Sequence, residues 1–198
     1  MPVPNAPTVA RVTMVFNRDS RIFNNTFHVE NLVTVWTLAS MTTLANEVID
    51  WWNDTYRQCV PTQVTLVQVQ VRKYDPADPL AVDQPVVPPL AGTRSSEPDA
   101  GNVTATLSWR TGFAGKRFRG RNYVPSLPEE DIGPDDLMNS PLVTVLAAAA
   151  ADFLARFVTA GQNAVVFHLA TESFTRIISA VIEHTVDSQR RRLPQRGR

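Results

Sequence analysis

Acid–base and nucleophilic catalysis need particular side chains brought together, and this sequence offers few of them. The three histidines, His28, His168 and His184, lie in segments that we predict to be strands, and no two are spaced as a metal-ligand pair. The single cysteine, Cys59, follows a predicted helix whose dipole opposes thiolate formation, so we expect a small buried residue. The sequence has no glycine-rich phosphate loop that opens a helix. We predict that the chain is not an enzyme and needs no cofactor.

One acidic run offers the remaining possibility of metal chemistry. Residues 129–136 contain Glu129, Glu130, Asp131, Asp135 and Asp136. Carboxylate oxygens suit calcium or magnesium, so the run could hold a hard cation. Solvated acids just before a predicted helix explain the same run without a ligand, because negative charge is favourable at a helix N-terminus. We therefore predict no metal site.

Basic residues form a first local concentration in a chain that is balanced overall, with 19 Lys+Arg and 19 Asp+Glu. Residues 110–121 contain no acid and hold five basic residues: Arg110, Lys116, Arg117, Arg119 and Arg121. If KRFRGRNY (116–123) is a strand, alternation places Arg117, Arg119, Arg121 and Tyr123 on one face. Such a row could neutralise phosphates while the tyrosine stacks on a base. Pairing with acids of a neighbouring subunit is an equal alternative.

The last ten residues form a second basic segment, which we call the C-terminal arm (189–198). It holds Arg190, Arg191, Arg192, Arg196 and Arg198 and no acid. The arm also contains proline and glycine and has no apolar period, so it lacks the pattern of a helix or a strand. We predict that it becomes ordered on nucleic acid or on an adjacent protomer; a solvated terminus is the alternative.

The elements that must position these segments begin with two strands and a helix. Residues 8–16 alternate with both faces largely apolar, which predicts a strand covered on two sides, and 27–35 predict a second strand after a polar connection at 17–25. Apolar residues then recur at helical spacing from 38 to near Cys59, with Thr37 or Ser40 as the cap. The adjacent Trp51 and Trp52 predict that one of them faces an interface, and a broad helix face buried between sheet and loop is an equal alternative.

Strand and helix patterns continue in the same order further along the chain. Residues 63–74 predict a half-buried strand, and 101–110 predict another that pairs back with 116–124. A helix is predicted over 141–160, with Ser140 as N-cap and Gly161 beyond its end. A strand at 164–170 follows, and the β-branched residues of 173–187 favour a final strand over a helix.

Together these elements predict an α+β fold in a single compact domain. Two similar ββαβ halves, 8–74 and 101–188, would flank a proline-rich connection at 75–100 without helix or strand period, and the C-terminal arm would follow. A mainly antiparallel sheet with two long amphipathic helices on one face is the simplest layered solution. The N-terminus has no apolar signal region and the longest apolar run, 142–151, is short, so we expect neither a secreted precursor nor a membrane protein.

Two short stretches carry a resemblance to known proteins. TGFAGKRFRGRNYVP (111–125) and VDSQRRRLPQRGR (186–198) resemble structural proteins of small environmental viruses and phages. The resemblance covers about 28 residues. It implies a capsid or coat protein of the virion, made in the host cytoplasm, that self-assembles in many copies around viral nucleic acid. A small-oligomer nucleic-acid-binding protein and a phage connector or tail component are the alternatives.

Overall fold

The computed structural model describes eight parts of the chain. These are residues 6–60, 62–93, 102–111, 117–118, 127–128, 141–158, 162–168 and 174–186. The nine strands described are β1 (Val9–Arg18), β2 (Arg21–Asn31), β3 (Val64–Lys73), β4 (Ala81–Ala91), β5 (Asn102–Thr111), β6 (Arg117–Phe118), β7 (Leu127–Pro128), β8 (Asn163–His168) and β9 (Phe174–Val186). The helices are α1 (Leu38–Asp54) and α2 (Pro141–Phe157), with 3-10 turns at Ala6–Thr8 and Tyr56–Cys59.

All of the described strand pairs are antiparallel, which agrees with the predicted α+β class. The strand order is β4-β3-β1-β2-β8-β9-β5-β6, and β7 pairs with β5. Five neighbouring strands, β4-β3-β1-β2-β8, form the sheet beneath the two helices. The final segment is the strand β9, as its β-branched residues predict.

The core lies between the two helices and one face of this sheet. Val12, Met14 and Phe16 of β1 alternate onto that face, and the apolar stripe of α1 packs over it. Helix α1 begins at the predicted cap: the Thr37 hydroxyl accepts from the Ser40 amide, and the Ser40 hydroxyl accepts from the Thr37 amide. Local sequence therefore sets both the start of this helix and the face that it buries.

Both tryptophans of α1 are buried in the core, so the interface prediction is wrong and its alternative, a broad buried helix face, is confirmed. The Trp51 indole donates to the Ala149 carbonyl of α2 at 2.9 Å, whereas the Trp52 indole donates to the Leu90 carbonyl of β4 at 3.1 Å. Consecutive helical residues point about 100° apart. Because α1 has the sheet on one side and α2 on the other, each indole meets a different neighbour in the same core.

The opposite face of the sheet is mostly polar, so the expected covering of β1 on both sides is wrong for most of the strand. Arg11 is exposed there, and Thr13 lies 3.2 Å from Thr26 between their hydroxyl oxygens. A small apolar cluster of Val9, Ala164 and Val166 covers only one end of this face.

Two predicted boundaries of the first hairpin are wrong. The polar residues 17–25 are not a long connection, because β1 and β2 are joined by Asp19 and Ser20 alone, with φ of 49° and 64°. Positive φ at both positions is the geometry of a tight hairpin turn, and aspartate tolerates it. Strand β2 ends at Asn31 and not at the predicted residue 35, and the residues after Asn31 form a connection to α1.

The prediction that the proline-rich segment 75–100 has no helix or strand is wrong, because residues 81–91 form β4. Proline cannot donate to a strand ladder and is confined to edge strands and bulges. Strand β4 is at the end of the described strand order and pairs with β3 alone. Its register shifts between Leu66 and Gln68 of β3, where Pro88 and Pro89 fall in the unpaired stretch of β4.

The prediction of two similar ββαβ halves is not confirmed. In the first half β1 lies between β2 and β3, whereas in the second β5 lies between β6 and β9. The described helix α2 ends at Phe157, three residues before the predicted end. Ser140 and Gly161, its predicted cap and stop, lie outside the described residues.

The buried ammonium group of Lys73 at the end of β3 makes the free energy of unfolding change with pH in the alkaline range. The Lys73 side chain is 4% exposed, and its Nζ lies 2.6 Å from Asp78 Oδ2 and 3.6 Å from Asp75 Oδ2. The hydrogen bond to Asp78 is the main cause that raises the pKa of Lys73 above its ordinary value. Because the pKa of Lys73 is higher in the folded protein than in the unfolded chain, its ammonium group stabilises the fold. This stabilisation is complete at pH values below the unfolded-state pKa of about 10.4, and it is lost as the pH rises through the folded-state pKa.

We expect Lys73→Met to remove this pH dependence. Urea unfolding of the variant and of the unmodified protein at pH 8 and at about pH 11 measures it. The stability difference between the two proteins should shrink at the higher pH. An equal difference at both values would contradict the assignment.

Candidate functional site

The described structure has a cleft between the β2–α1 connection and the C-terminal end of α2. Its volume is about 390 Å3, and its walls include Trp36, Thr43, Leu44, Glu47, Arg156 and Phe157. The first four of these residues come from the chain around the start of α1, and the last two come from α2. We call this space the α1–α2 cleft.

Local hydrogen bonds fix the connection that forms one wall of the cleft. The Asn31 side-chain oxygen accepts from the amides of Val33 and Thr34, both at 3.0 Å. The Trp36 indole donates to the Thr8 carbonyl at 2.7 Å, and the Leu32 amide donates to the Gln162 carbonyl at 2.7 Å. An asparagine that bonds the amides two and three residues ahead forms a stable turn. The connection is therefore held at both ends and at its turn.

The connection presents apolar side chains to the surface. Among the described residues seven large apolar side chains are exposed, and five of them lie in or beside segments that line the cleft: Leu32, Val33, Val35, Leu38 and Val158. Val33, which lines the cleft itself, is 68% exposed. We call these five residues the apolar rim. Scattered exposed apolar residues are ordinary, but a cluster on a fixed loop is typical of a contact surface.

Helix α1 carries acidic residues beside the cleft, and Glu47 is the acid among the described residues that line it. Glu47, Asp50 and Asp54 follow one another at three- and four-residue spacing, which places them along one stripe of α1. The side chains of Glu47 and Asp54 are 46% and 53% exposed. We call these three residues the acidic stripe. Together with Asp152 and Arg156 of α2 their formal charge is −3, and Arg57, in the turn just after α1, is a further base close to Asp54 in the sequence.

Arg156 joins the two helices beneath the cleft. Its Nε donates to Asp152 Oδ1 at 2.8 Å, its Nη2 donates to Asp54 Oδ2 at 2.7 Å, and its Nη1 lies 3.5 Å from Glu47 Oε2. Thr55 donates to the second oxygen of Asp152 at 2.9 Å. The hydrogen bond to Asp152, followed by that to Asp54, raises the pKa of Arg156, which therefore remains protonated.

We expect Arg156→Ala to destabilise the protein by about 1–3 kcal/mol, since it removes two hydrogen bonds between charged groups and leaves three acids close together. Arg11→Ala is the matched control, because Arg11 is exposed on the other face of the sheet and its loss should change stability by less than about 0.5 kcal/mol. Urea unfolding at neutral pH compares the two variants. Equal effects would show that the contacts of Arg156 do not stabilise the packing of the helices.

Of the predicted contact residues, the structure describes the backbone of two. Arg110 lies in β5 and Arg117 in β6, and the strand register makes them direct partners. The remaining predicted residues lie outside the described part of the chain: Lys116, Arg119, Arg121, Tyr123, Arg190, Arg191, Arg192, Arg196 and Arg198. The acidic run 129–136 also lies outside it. The structure therefore places Arg110 and Arg117 opposite each other on neighbouring strands.

The residues set aside for catalysis occupy strands and core. His28 is in β2, with its ring 6.1 Å from that of Tyr74, and Cys59 is fully buried, as predicted. His168 and His184 lie in β8 and β9. Within the described residues no group of three or more His, Cys, Asp or Glu side chains is placed to hold a metal ion.

Sequence reasoning missed the α1–α2 cleft. Val33 and Val35 continue the alternation of the strand before them, which led to their assignment to β2. Arg156 and Asp54 are 102 positions apart, so no local sequence pattern predicts their contact. A usable signal was the stripe of Glu47, Asp50 and Asp54 on a predicted helix.

Comparisons with known proteins add no relative. No protein-family model, no curated protein and no solved structure matches this chain significantly. The described helices include none that is long and apolar enough to span a bilayer.

Proposed function

We propose that this protein is a virion structural protein, a capsid or coat subunit that self-assembles into a homo-oligomeric shell enclosing nucleic acid. The observation that carries the proposal is the apolar rim, three exposed aliphatic side chains on the fixed β2–α1 connection together with Leu38 at the start of α1 and Val158 just after α2. When a second protein surface covers such apolar side chains, the free energy of the system falls because apolar area is removed from water. The protein would act in the virion, after synthesis in the host cytoplasm, and without catalysis.

Nucleic acid is the second partner in this proposal. The register of β5 and β6 makes Arg110 and Arg117 cross-strand partners, and like charges directly opposite each other are destabilising. A phosphate between such positions would offset their repulsion. The basic segments 110–121 and 189–198 are therefore the proposed contacts with nucleic acid or with acids of an adjacent subunit.

The same pair of arginines favours a second candidate function, a small-oligomer nucleic-acid-binding protein. A phage connector or tail component is a variant of the first proposal, since it also assembles from many copies. The two main candidates differ in where the nucleic acid lies, because a closed shell encloses it and a small oligomer leaves it accessible.

The two-halves architecture also belongs to the proposal. Each half contributes one helix that follows strands in the chain and precedes further strands, and both helices pack on the same core. We propose that the halves share this plan, with different strand neighbours. Two equivalent helices on one face would give each subunit two similar surfaces for its neighbours.

Nuclease protection tests the proposed function. The purified full-length protein is expected to retain nucleic acid that nuclease cannot digest until the particles are opened by denaturant. Nucleic acid that is digested at once, from a small oligomer whose affinity falls steeply as salt rises, would overturn the shell and favour the second candidate.

A further inference from the structure

We propose that the α1–α2 cleft is the docking site for the C-terminal arm, residues 189–198, of a second copy of this chain. The inference rests on the proposed self-assembly and assigns one of the two basic segments to a protein partner. It follows from the acidic residues beside the cleft and from the apolar residues that line it.

The charges of the two surfaces are complementary. The acidic stripe has three carboxylates, and the side chains of Glu47 and Asp54 remain about half exposed although both contact Arg156. The C-terminal arm carries five arginines and no acid. Planar guanidinium groups bind carboxylates in a fixed geometry, and opposite charges guide the two surfaces together. Nucleic acid is the wrong occupant for this cleft, because the acids would repel its phosphates.

The apolar parts of the two surfaces also correspond. The arm reads QRRRLPQRGR, so Leu193 and Pro194 interrupt the basic residues. The cleft offers Trp36, Leu44 and Phe157 as walls, with Val33 at the rim. A leucine that enters such a cleft leaves water, which is favourable for an apolar side chain. With Leu193 in the cleft, the three preceding arginines would lie along the acidic stripe, since about 10 Å of extended chain matches the spacing of its acids.

Because the proposed shell is built from contacts between copies, we assign the arm to the cleft of a second copy and not to the cleft of its own chain.

Disulfide trapping between two full-length variants tests the proposal. One carries Thr43→Cys on an exposed position of the cleft wall, and the other carries Leu193→Cys together with a size tag. The native Cys59 is buried and stays in both chains. A disulfide requires the two β-carbons within about 4.5 Å, so it reports seating of the arm in the cleft. Thr62→Cys, on an exposed turn just before β3, is the matched control.

We expect the mixed disulfide of Thr43→Cys with Leu193→Cys to form at least about tenfold faster than that of the control. High salt or Glu47→Lys in the same chain should lower the yield several-fold, because each weakens the charge attraction. Urea unfolding of each variant verifies that the fold is kept. Equal trapping at positions 43 and 62 would overturn the proposal. A third variant carries Thr43→Cys and Leu193→Cys in one chain, and a disulfide that forms within this chain but not between the two singly substituted chains would also overturn it.

The outcome separates this proposal from the function on which it rests. Shells that form without trapping at position 43 would reject the docking site and leave the virion function standing. Trapping at position 43 in small oligomers that form no shells would support the docking site and reject the virion function. Absence of both would reject the two proposals together.

Discussion

Replacement of Trp51 by alanine is expected to lower the free energy of unfolding by about 3–5 kcal/mol, the cost of emptying a large aromatic site in a core. The Trp51 ring stacks on Tyr56 with centroids 4.4 Å apart and lies edge-on to Phe153 at 5.0 Å. Its indole also donates to the Ala149 carbonyl. Trp51 therefore connects α1, the turn after it and α2, and its loss leaves a cavity where all three meet.

Urea unfolding measures this effect, and Trp51→Phe is the matched variant. Phenylalanine keeps an aromatic ring but cannot donate to the Ala149 carbonyl, so we expect a loss of about 1–3 kcal/mol. Because phenylalanine fills part of the space of Trp51 and alanine does not, Trp51→Ala should lower the free energy of unfolding more than Trp51→Phe. A loss below about 1 kcal/mol for Trp51→Ala would mean that α2 does not pack on Trp51 in solution.

Replacement of Val33 by aspartate is expected to weaken assembly strongly while the subunit still folds. Val33 is 68% exposed, so a charge there costs the isolated subunit little. In an assembled shell the same position is covered in every copy, and an unpaired charge is costly to bury. We expect the protein concentration needed for assembly to rise roughly 100-fold, which corresponds to about 2.7 kcal/mol per contact.

The chain offers a matched control for this variant. Val87 is 83% exposed, far from the cleft in sequence and in the edge strand β4, so Val87→Asp makes the same chemical change outside the apolar rim. Sedimentation velocity of both variants gives their assembly state, and circular dichroism gives their fold. Equal assembly of the two variants would show that the apolar rim is not an interface.

Local sequence patterns correctly predicted those helices and strands whose structure is determined by residues close in sequence. Helix α1 could be placed from Thr37 and its apolar stripe, because capping and amphipathicity act within a few residues. Strand β3 could be placed from its alternation, since one face is covered and the other is polar. The final strand followed from its β-branched residues.

Other features depend on contacts that no local pattern contains. Strand β4 is possible because its prolines meet a register shift in β3, which a composition rich in proline conceals. Val33 and Val35 alternate like strand residues, but Asn31 turns the chain before them. The two walls of the α1–α2 cleft are more than 100 positions apart in sequence. Their proximity follows from the packing of α1 against α2.

The size of the purified full-length protein at physiological salt tests the central claim most directly. Light scattering gives the mass, and negative-stain microscopy gives the shape of the same sample. We predict uniform closed particles of many copies, and a loss of these particles when the chain is shortened after Ser188, because the C-terminal arm is then absent. A monomer or dimer at every salt concentration would contradict the account.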